Sequence, residues 1–251
     1  MTMKVPPIAA IACLLPILSS CGKKEETAEK PASPAEEYLK AADTPILPLR
    51  PGDSWEYKVS IEVPAGVTAP GAAAVATERR KTRVYKGKVF VAEGVADTDA
   101  FDVSVPGEPI EREFVEIQDD RILLRGSSRP DTPDSEPVWL DPPVPFVVAG
   151  LRAGQALASL AVQDGARQRG LQVVAREKVT VAAGEYDNAI RLLMTGNDGE
   201  FEVRRTTWFV PRVGIVKEEK TRYLAEKLLF RETSELEKTT VTGERRTTPG
   251  K

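Results

Sequence analysis

The chain has 251 residues, with 35 basic and 38 acidic side chains, two cysteines and no histidine. The absence of histidine excludes Ser-His-Asp catalysis, histidine zinc sites and imidazole acid–base chemistry. The formal net charge of −3 argues against a nucleic-acid partner, which normally requires a basic face.

The first residues have the features of a bacterial export leader. Lys4 supplies a positive start, and the apolar run from Val5 to Leu18 is shorter than the roughly 20 residues of a membrane-spanning helix. The run ends in Leu18-Ser19-Ser20-Cys21. This tetrapeptide resembles the lipobox of bacterial lipoproteins, in which the cysteine is acylated and becomes the mature N-terminus. The resemblance implies a signal peptide over residues 1–20, cleavage between Ser20 and Cys21, and a lipid anchor such as palmitate on Cys21.

Cleavage at this position decides what sulfur chemistry remains. Cys13 lies inside the leader, so Cys21 is the only cysteine of the mature chain, and lipid occupies its thiol. We therefore expect no disulfide, no thiolate nucleophile and no cysteine metal site. The expected partner is the lipid bilayer. In lipoproteins of this kind an aspartate after the cysteine favours the inner membrane, so Gly22 favours the outer membrane, with the protein facing the periplasm.

Composition divides the rest of the chain into three parts. Residues 21–45 are polar and rich in Pro and Ala, which predicts a disordered tether with an r.m.s. span of roughly 25 Å. Residues 46–241 form the predicted folded domain. Residues 242–251 are charged and predict a disordered tail.

The strongest structural signal is the strict alternation of apolar and polar residues from Ser54 to Val63, which predicts a strand with one buried face. Similar segments follow, and no long amphipathic helix is evident after residue 45. The further predicted strands are Thr82–Tyr85, Lys88–Ala92, Glu111–Gln118, Arg121–Arg125, Gln155–Val162, Leu171–Val181, Glu185–Met194, Glu200–Val210, Gly214–Thr221 and Lys227–Leu236. This pattern predicts an all-β domain of about 10–12 strands, as one large curved antiparallel sheet, an open barrel or a sandwich.

Turn signals suggest how these strands connect. Lys86-Gly87 and Asp119-Asp120 predict two-residue hairpin turns, and Asn197-Asp198-Gly199 predicts a tight turn. The segment Trp139–Phe146 contains three prolines, which cannot donate to a strand ladder. It is therefore excluded from the sheet centre, and we expect its apolar residues to plug one end of the core.

Three motifs in the folded region follow one another in a familiar order. They are Pro48–Tyr57, Val179–Arg191 and Thr207–Lys217. Together they resemble a group of uncharacterised bacterial secreted proteins and lipoproteins with "P-L-x-x-G-x-x-W-x-Y", "V-x-V-P-A-G-x-F/Y" and "W-F-x-P-G-V-G-x-V-K". This chain departs from the pattern at Ala182, where Pro is usual, and at Arg212, where Gly is usual. The resemblance implies an antiparallel β protein of the envelope and no catalytic residues.

The acidic residues offer little chemistry. Asp97–Asp102 faintly resembles a calcium loop but lacks the central glycine, so we expect a solvated acidic turn and no metal. Glu218 and Glu219 are adjacent on a predicted strand, where neighbouring side chains point to opposite faces, so they are not expected to act together.

Two other groups have both structural and functional interpretations. The basic cluster of Arg79, Arg80, Lys81 and Arg83 would suit lipid headgroups, but a charged sheet edge or wet face is the preferred interpretation. Three tryptophans would suit a ligand groove, although core packing is preferred for each of them. They are Trp55, Trp139 and Trp208.

These observations predict a membrane-anchored envelope lipoprotein whose β domain is not an enzyme, takes no cofactor, and acts by binding or in envelope assembly, with an envelope protein as partner. One alternative is a carrier or receptor for an apolar ligand held in a β half-barrel. A carboxylate-dependent hydrolase of envelope polymer is the least favoured alternative. The shape and lining of the concave face of the sheet would distinguish them.

Overall fold

The computed structural model describes residues 46–67, 69, 71–90, 98–130, 136–150, 152–162 and 167–241. The predicted signal peptide, the tether with Cys21 and the tail lie outside these residues. The described part of the chain contains twelve strands and no α-helix, and hence no helix able to cross a membrane.

The strands are β1 (Ser54–Val63), β2 (Val75–Val89), β3 (Thr98–Ser104), β4 (Glu111–Ile117), β5 (Arg121–Ser128), β6 (Val138–Val148), β7 (Ala156–Val162), β8 (Arg167–Val181), β9 (Gly184–Asp198), β10 (Phe201–Val210), β11 (Gly214–Leu224) and β12 (Lys227–Thr239). They form one sheet in the order β6-β5-β4-β3-β2-β1-β12-β11-β10-β9-β8-β7. Every neighbouring pair is antiparallel, and β6 and β7 are the edges, so the sheet is not closed into a barrel. The all-β prediction, including a single large antiparallel sheet, is confirmed.

The sheet is strongly curled. The guanidinium of Arg205 in β10 lies 4.7 Å from the ring centre of Phe146 in β6, although many strands separate β6 from β10 in the sheet. Near the two edges, Arg176 of β8 donates to the carbonyl oxygen of Ala149, just after β6, at 2.5 Å. One face of the sheet therefore folds over itself, and we call it the inner face.

The alternation of apolar and polar residues in β1 shows which side chains belong to the inner face. Trp55, Tyr57 and Val59 are almost completely buried, whereas the side chains between them are half-buried or exposed. β1 spans the residues that the sequence predicted, because a period of two matches the alternation of side chains along a strand.

An aromatic cluster lies where β1 begins and β2 ends. Trp55 and Tyr85 both contact Phe101, at ring-centre distances of 5.9 and 5.2 Å. Ile46 and Leu47 are buried against the same cluster. We call this part of the inner face the apolar half, and the end of the sheet that carries it the entry rim.

One predicted hairpin is wrong. Lys86-Gly87 does not reverse the chain, because β2 runs continuously from Val75 to Val89 with a register shift between Tyr85 and Gly87. Gly87 has a φ of 97°, which here accommodates a bulge. Positive φ at a glycine is needed by hairpin turns and by bulges alike, so the sequence signal was ambiguous.

Three further local predictions need correction. The predicted acidic turn is strand β3, and Asp99 is buried there, where it accepts a hydrogen bond from the Tyr85 hydroxyl at 2.6 Å. The Pro-rich segment from Trp139 is not a plug but strand β6. Its exclusion from the sheet centre is confirmed, because β6 is an edge strand. The turn predicted at Asp119-Asp120 joins β4 to β5 as expected. The turn predicted at Asn197–Gly199 is displaced, because Asn197 and Asp198 pair within β9 and Gly199-Glu200 makes the connection to β10.

Candidate functional site

A band of charged side chains crosses the inner face beside the apolar half. Residues paired across neighbouring strands share a face, and the register places Lys81 beside Tyr57, Ser234 beside Val59, and Glu218 beside Ser234. We call this band the charged belt. It consists of Arg79, Lys81 and Arg83 of β2, Glu113 of β4, Arg205 of β10, Glu218 and Lys220 of β11, and Glu232 of β12.

Glu218 is the centre of the belt and is almost inaccessible to solvent, with 3% exposure. Arg205 donates to its carboxylate through Nε at 2.6 Å and through a second guanidinium nitrogen. Lys220 and Lys81 approach the other oxygen at 3.3 and 3.7 Å. Three cations thus share one carboxylate.

The remaining pairs extend the belt toward both sides. Arg83 contacts Glu113 at 2.8 Å, and its guanidinium stacks 3.9 Å from the ring centre of Phe101. Glu232 is shared by Arg79 at 3.2 Å and by Lys220 at 3.6 Å. Ion pairs therefore connect Glu218 with Glu232 through Lys220, and the Arg83–Glu113 pair lies beside them and joins the apolar half through Phe101.

Burial and charge act against each other on the carboxylate of Glu218. Burial alone would raise its pKa, but Arg205, Lys220 and Lys81 outweigh burial and hold the pKa well below its usual range. Burial lowers the pKa of the Lys81 ammonium, and Lys220 and Arg205 lower it further, although Glu218 opposes them. Glu218 is therefore ionised at neutral pH, and Lys81 lies close to two other cations, Lys220 and Arg205.

The belt itself has five basic and three acidic side chains. Glu108 contacts Arg79, and Glu111 acts on Arg205, so these two carboxylates border the belt and balance its charge from outside. The Nε atoms of Arg79 and Arg83 are buried without a hydrogen-bond acceptor. A ligand with several anionic oxygens would compete with the bordering carboxylates for the exposed basic groups of the belt.

Catalytic arrangements in the belt are poorly formed. Burial raises the pKa of Glu113, but Arg83 and Arg205 outweigh it, so neither Glu113 nor Glu218 is the protonated acid that glycoside hydrolysis needs. Lys81 donates to the Ser234 hydroxyl at 2.9 Å, which resembles a serine–lysine pair. Ser234, however, is 1% exposed in the middle of β12, where a substrate cannot reach its oxygen.

A pocket of about 160 Å³ lies elsewhere, over the strands near the β7 edge. Ala156, Gly170, Leu171, Gln172, Leu193 and Thr195 line it. Small-molecule sites usually measure about 300–1,000 Å³. This pocket is too small to be the ligand-binding cavity of an acyl-chain carrier.

The sequence had singled out part of the belt for a different reason. The basic cluster is not a sheet edge, since β2 pairs with both β1 and β3. Arg79, Lys81 and Arg83 point to the inner face, whereas Arg80 points outward and approaches Glu237 at 3.8 Å. The cluster therefore divides between two faces, and its inner members belong to the belt.

The tryptophans and the acidic pair behave largely as predicted. Trp55 is a core residue, Trp208 packs partly buried and donates to Glu177 at 2.8 Å, and Trp139 stacks near Phe114 at 4.9 Å. Glu218 and Glu219 point to opposite faces, and Glu219 approaches Arg231 on the outer face at 3.8 Å.

Sequence reasoning missed Glu218, Lys220 and Arg205 as a site. A buried charged site can be recognised in a sequence when a charged residue occupies an apolar position of an alternating strand. That signal is absent here, because Lys217 to Lys220 are all charged.

No protein-family model matches the chain, and no curated protein matches it significantly. Two solved structures are similar to it. One is a protein assigned as exported, with a YmcC-like fold, from Bacteroides fragilis NCTC 9343; it has a TM-score of 0.40 and 13% identity, over 77% of this chain and 98% of that one. The other is a protein assigned as a lipoprotein, from Parabacteroides distasonis ATCC 8503, with a TM-score of 0.39 and 13% identity, over 78% and 99%.

Proposed function

We propose that this chain is a lipid-anchored envelope protein whose β domain binds an acidic ligand on its inner face and catalyses no reaction. Cys21 holds the protein to the membrane, with the outer membrane as the proposed location. The charged belt is the binding surface, and the ligand carries several phosphate or carboxylate oxygens.

The anchoring part of the proposal rests on the order of features in the leader. A positive start, a short apolar run and the lipobox Leu18–Cys21 occur in the sequence that acylation requires. A chain with two or more acyl groups stays on a membrane, because each buried methylene contributes about 0.8 kcal/mol.

The binding part rests on one observation, the sharing of Glu218 among three cations at a buried site. Positive charge is dense around this one carboxylate, since Lys220 and Arg205 both lower the pKa of Lys81, and an added anion would relieve that repulsion. Lys220 and Arg79 are partly exposed, with 41% and 32% of their side chains accessible, so a ligand in solvent reaches the belt through them.

The two alternatives fit the geometry less well. The pocket described near the β7 edge is smaller than an acyl chain requires, and the belt presents charge to an apolar ligand. A hydrolase built on paired carboxylates would need one of them protonated, and the belt keeps them ionised.

Titration with inorganic tripolyphosphate, a compact polyanion, tests the binding part on the purified full-length protein. We expect saturable binding by calorimetry. Lys220→Gln should weaken binding about ten-fold, as expected for the loss of one charge-assisted contact. Lys58→Gln is the matched control, because Lys58 is similarly exposed but pairs with Glu78 on the outer face.

Three outcomes would count against this part of the proposal. They are the absence of saturable binding, an equal loss of affinity in the Lys58→Gln control, and labelling of Ser234 by a fluorophosphonate probe, which would favour a serine–lysine hydrolase.

Acylation has an independent test. In cells fed labelled palmitate, the wild-type protein should incorporate label and sediment with membranes. Cys21→Ser should lose the label and appear in the soluble fraction. Unchanged labelling of Cys21→Ser would overturn the anchor and leave the binding result standing.

A further inference from the structure

The chain enters the folded domain at the entry rim. Ile46, the first described residue, is 5% exposed, and its carbonyl accepts a hydrogen bond from the Arg212 backbone at 2.8 Å. The segment that follows pairs with the end of β2, where Gly52 donates to the Tyr85 carbonyl at 2.8 Å. The segment leading to Cys21 is thus attached at one end of the sheet.

An exposed aromatic residue stands at this same end. Phe90 directly follows β2 and is 74% exposed, an unusual environment for such a large apolar ring. Lys86 and Lys88 precede it, with 46% and 63% of their side chains exposed. Their carboxylate neighbours, Asp102 and Asp99, are 3.9 and 3.8 Å away, so both ammonium groups keep most of their contact with solvent.

Strand pairing shows that this is one continuous rim. Val89 at the end of β2 pairs with Thr98, the first residue of β3, and Arg121 at the start of β5 pairs with Val148 at the end of β6. Val138, at the start of β6, therefore lies at the opposite rim, where it is 67% exposed. The opposite rim also carries Val75 and Leu224, with 48% and 38% exposure, whereas Phe90 is the exposed large apolar side chain described next to the chain entry.

We propose that the entry rim rests on the bilayer, with the Phe90 ring among the lipid headgroups and Lys86 and Lys88 facing the phosphates of acidic phospholipids. An aromatic ring flanked by lysines is the combination that interfacial segments use. This inference rests on the proposed lipid anchor.

Distances favour this rim over the opposite one. The sequence predicts a tether from Cys21 to Ile46 with an r.m.s. span of roughly 25 Å. β6 has 11 residues, and at about 3.3 Å per residue Val138 lies roughly 35 Å from the entry-rim end of its strand. A chain entry held near the membrane therefore places Phe90 closer to the membrane surface than Val138.

The test uses the full-length acylated protein with a single reporter. Phe90→Cys introduces the mature chain's one free thiol, which is labelled with the fluorophore NBD, and Val138→Cys is the control. The protein is bound to vesicles of phosphatidylethanolamine and phosphatidylglycerol that contain a doxyl-labelled lipid. Vesicle flotation measures anchoring, and quenching measures the depth of each position.

We expect both variants to float, with at least about two-fold quenching at position 90 and little at position 138. Replacing Lys86 and Lys88 by Glu should reduce quenching at position 90 while flotation persists. Flotation with equal quenching at the two positions would overturn this inference alone. Failure to float would overturn the anchor, and this inference with it.

Discussion

The apolar half and the charged belt occupy the same inner face yet contribute differently to the molecule. In the apolar half, Trp55 is 1% exposed and its one polar atom has a partner, since Nε1 donates to the Val213 carbonyl at 2.7 Å. In the belt, three cations compete for the Glu218 carboxylate. The first region is an apolar core with its polar atom paired, whereas the second concentrates several charges around one buried carboxylate.

Trp55→Ala should have the largest effect, because it removes the centre of the apolar half. We expect the free energy of unfolding to fall by about 3–5 kcal/mol, measured by urea denaturation. Trp55→Phe keeps most of the apolar area but leaves the Val213 carbonyl unpaired, so it should cost about 1–3 kcal/mol. An equally small loss for both variants would show that this region is not the stabilising core.

Glu218→Gln should have the next largest effect. It leaves Lys81, Arg205 and Lys220 without their shared anion, and we expect a loss of about 3 kcal/mol at neutral pH. The matched control is Glu219→Gln on the outer face, which should cost much less. If the two variants were equally stable, the belt would not be a buried network.

The same residue predicts a difference in acid stability. The folded-state pKa of Glu218 is depressed, so its contribution is complete above the unfolded value of about 4.3 and is lost as pH falls from there toward the folded pKa. Wild-type protein should therefore lose more stability than Glu218→Gln on going from pH 7 to about pH 3. Parallel pH profiles would contradict the assigned direction.

Arg212→Gly should have the smallest effect and the opposite sign. Arg212 has a φ of 67°, the left-handed conformation that glycine adopts without strain. We expect a gain of about 0.5–1 kcal/mol in urea denaturation. The control is Gly214→Ala in the same turn. Gly214 has a φ of 106° and its Cβ would lie 3.1 Å from Trp55 Nε1, so this variant should be destabilised.

Regular local patterns made much of the fold predictable. β1 alternates strictly, and the turn at Asp119-Asp120 separates two apolar segments, so both were located from sequence. β6 was not, because its prolines are compatible with an edge strand as well as with a loop. The curl that brings Phe146 to Arg205 depends on contacts between distant strands, which a local pattern does not encode.

The belt was less predictable than the fold. Residues 217–220 are all charged, so alternation does not indicate which of them face inward. Only the pairing of β11 with β10 and β12 places Glu218 and Lys220 on the inner face and Glu219 on the outer face. The ion network therefore depends on the register between strands. The composition of residues 217–220 alone would suggest a solvated surface.

Lysine footprinting with tripolyphosphate tests the central claim most directly. Lys220 on the inner face and Lys58 on the outer face have similar side-chain exposure, 41% and 47%. NHS-acetate labelling, followed by peptide mass spectrometry, reports the reactivity of each lysine with and without the anion. The account predicts that tripolyphosphate protects Lys220 and leaves Lys58 unchanged; equal protection of the two, or protection of neither, would contradict it.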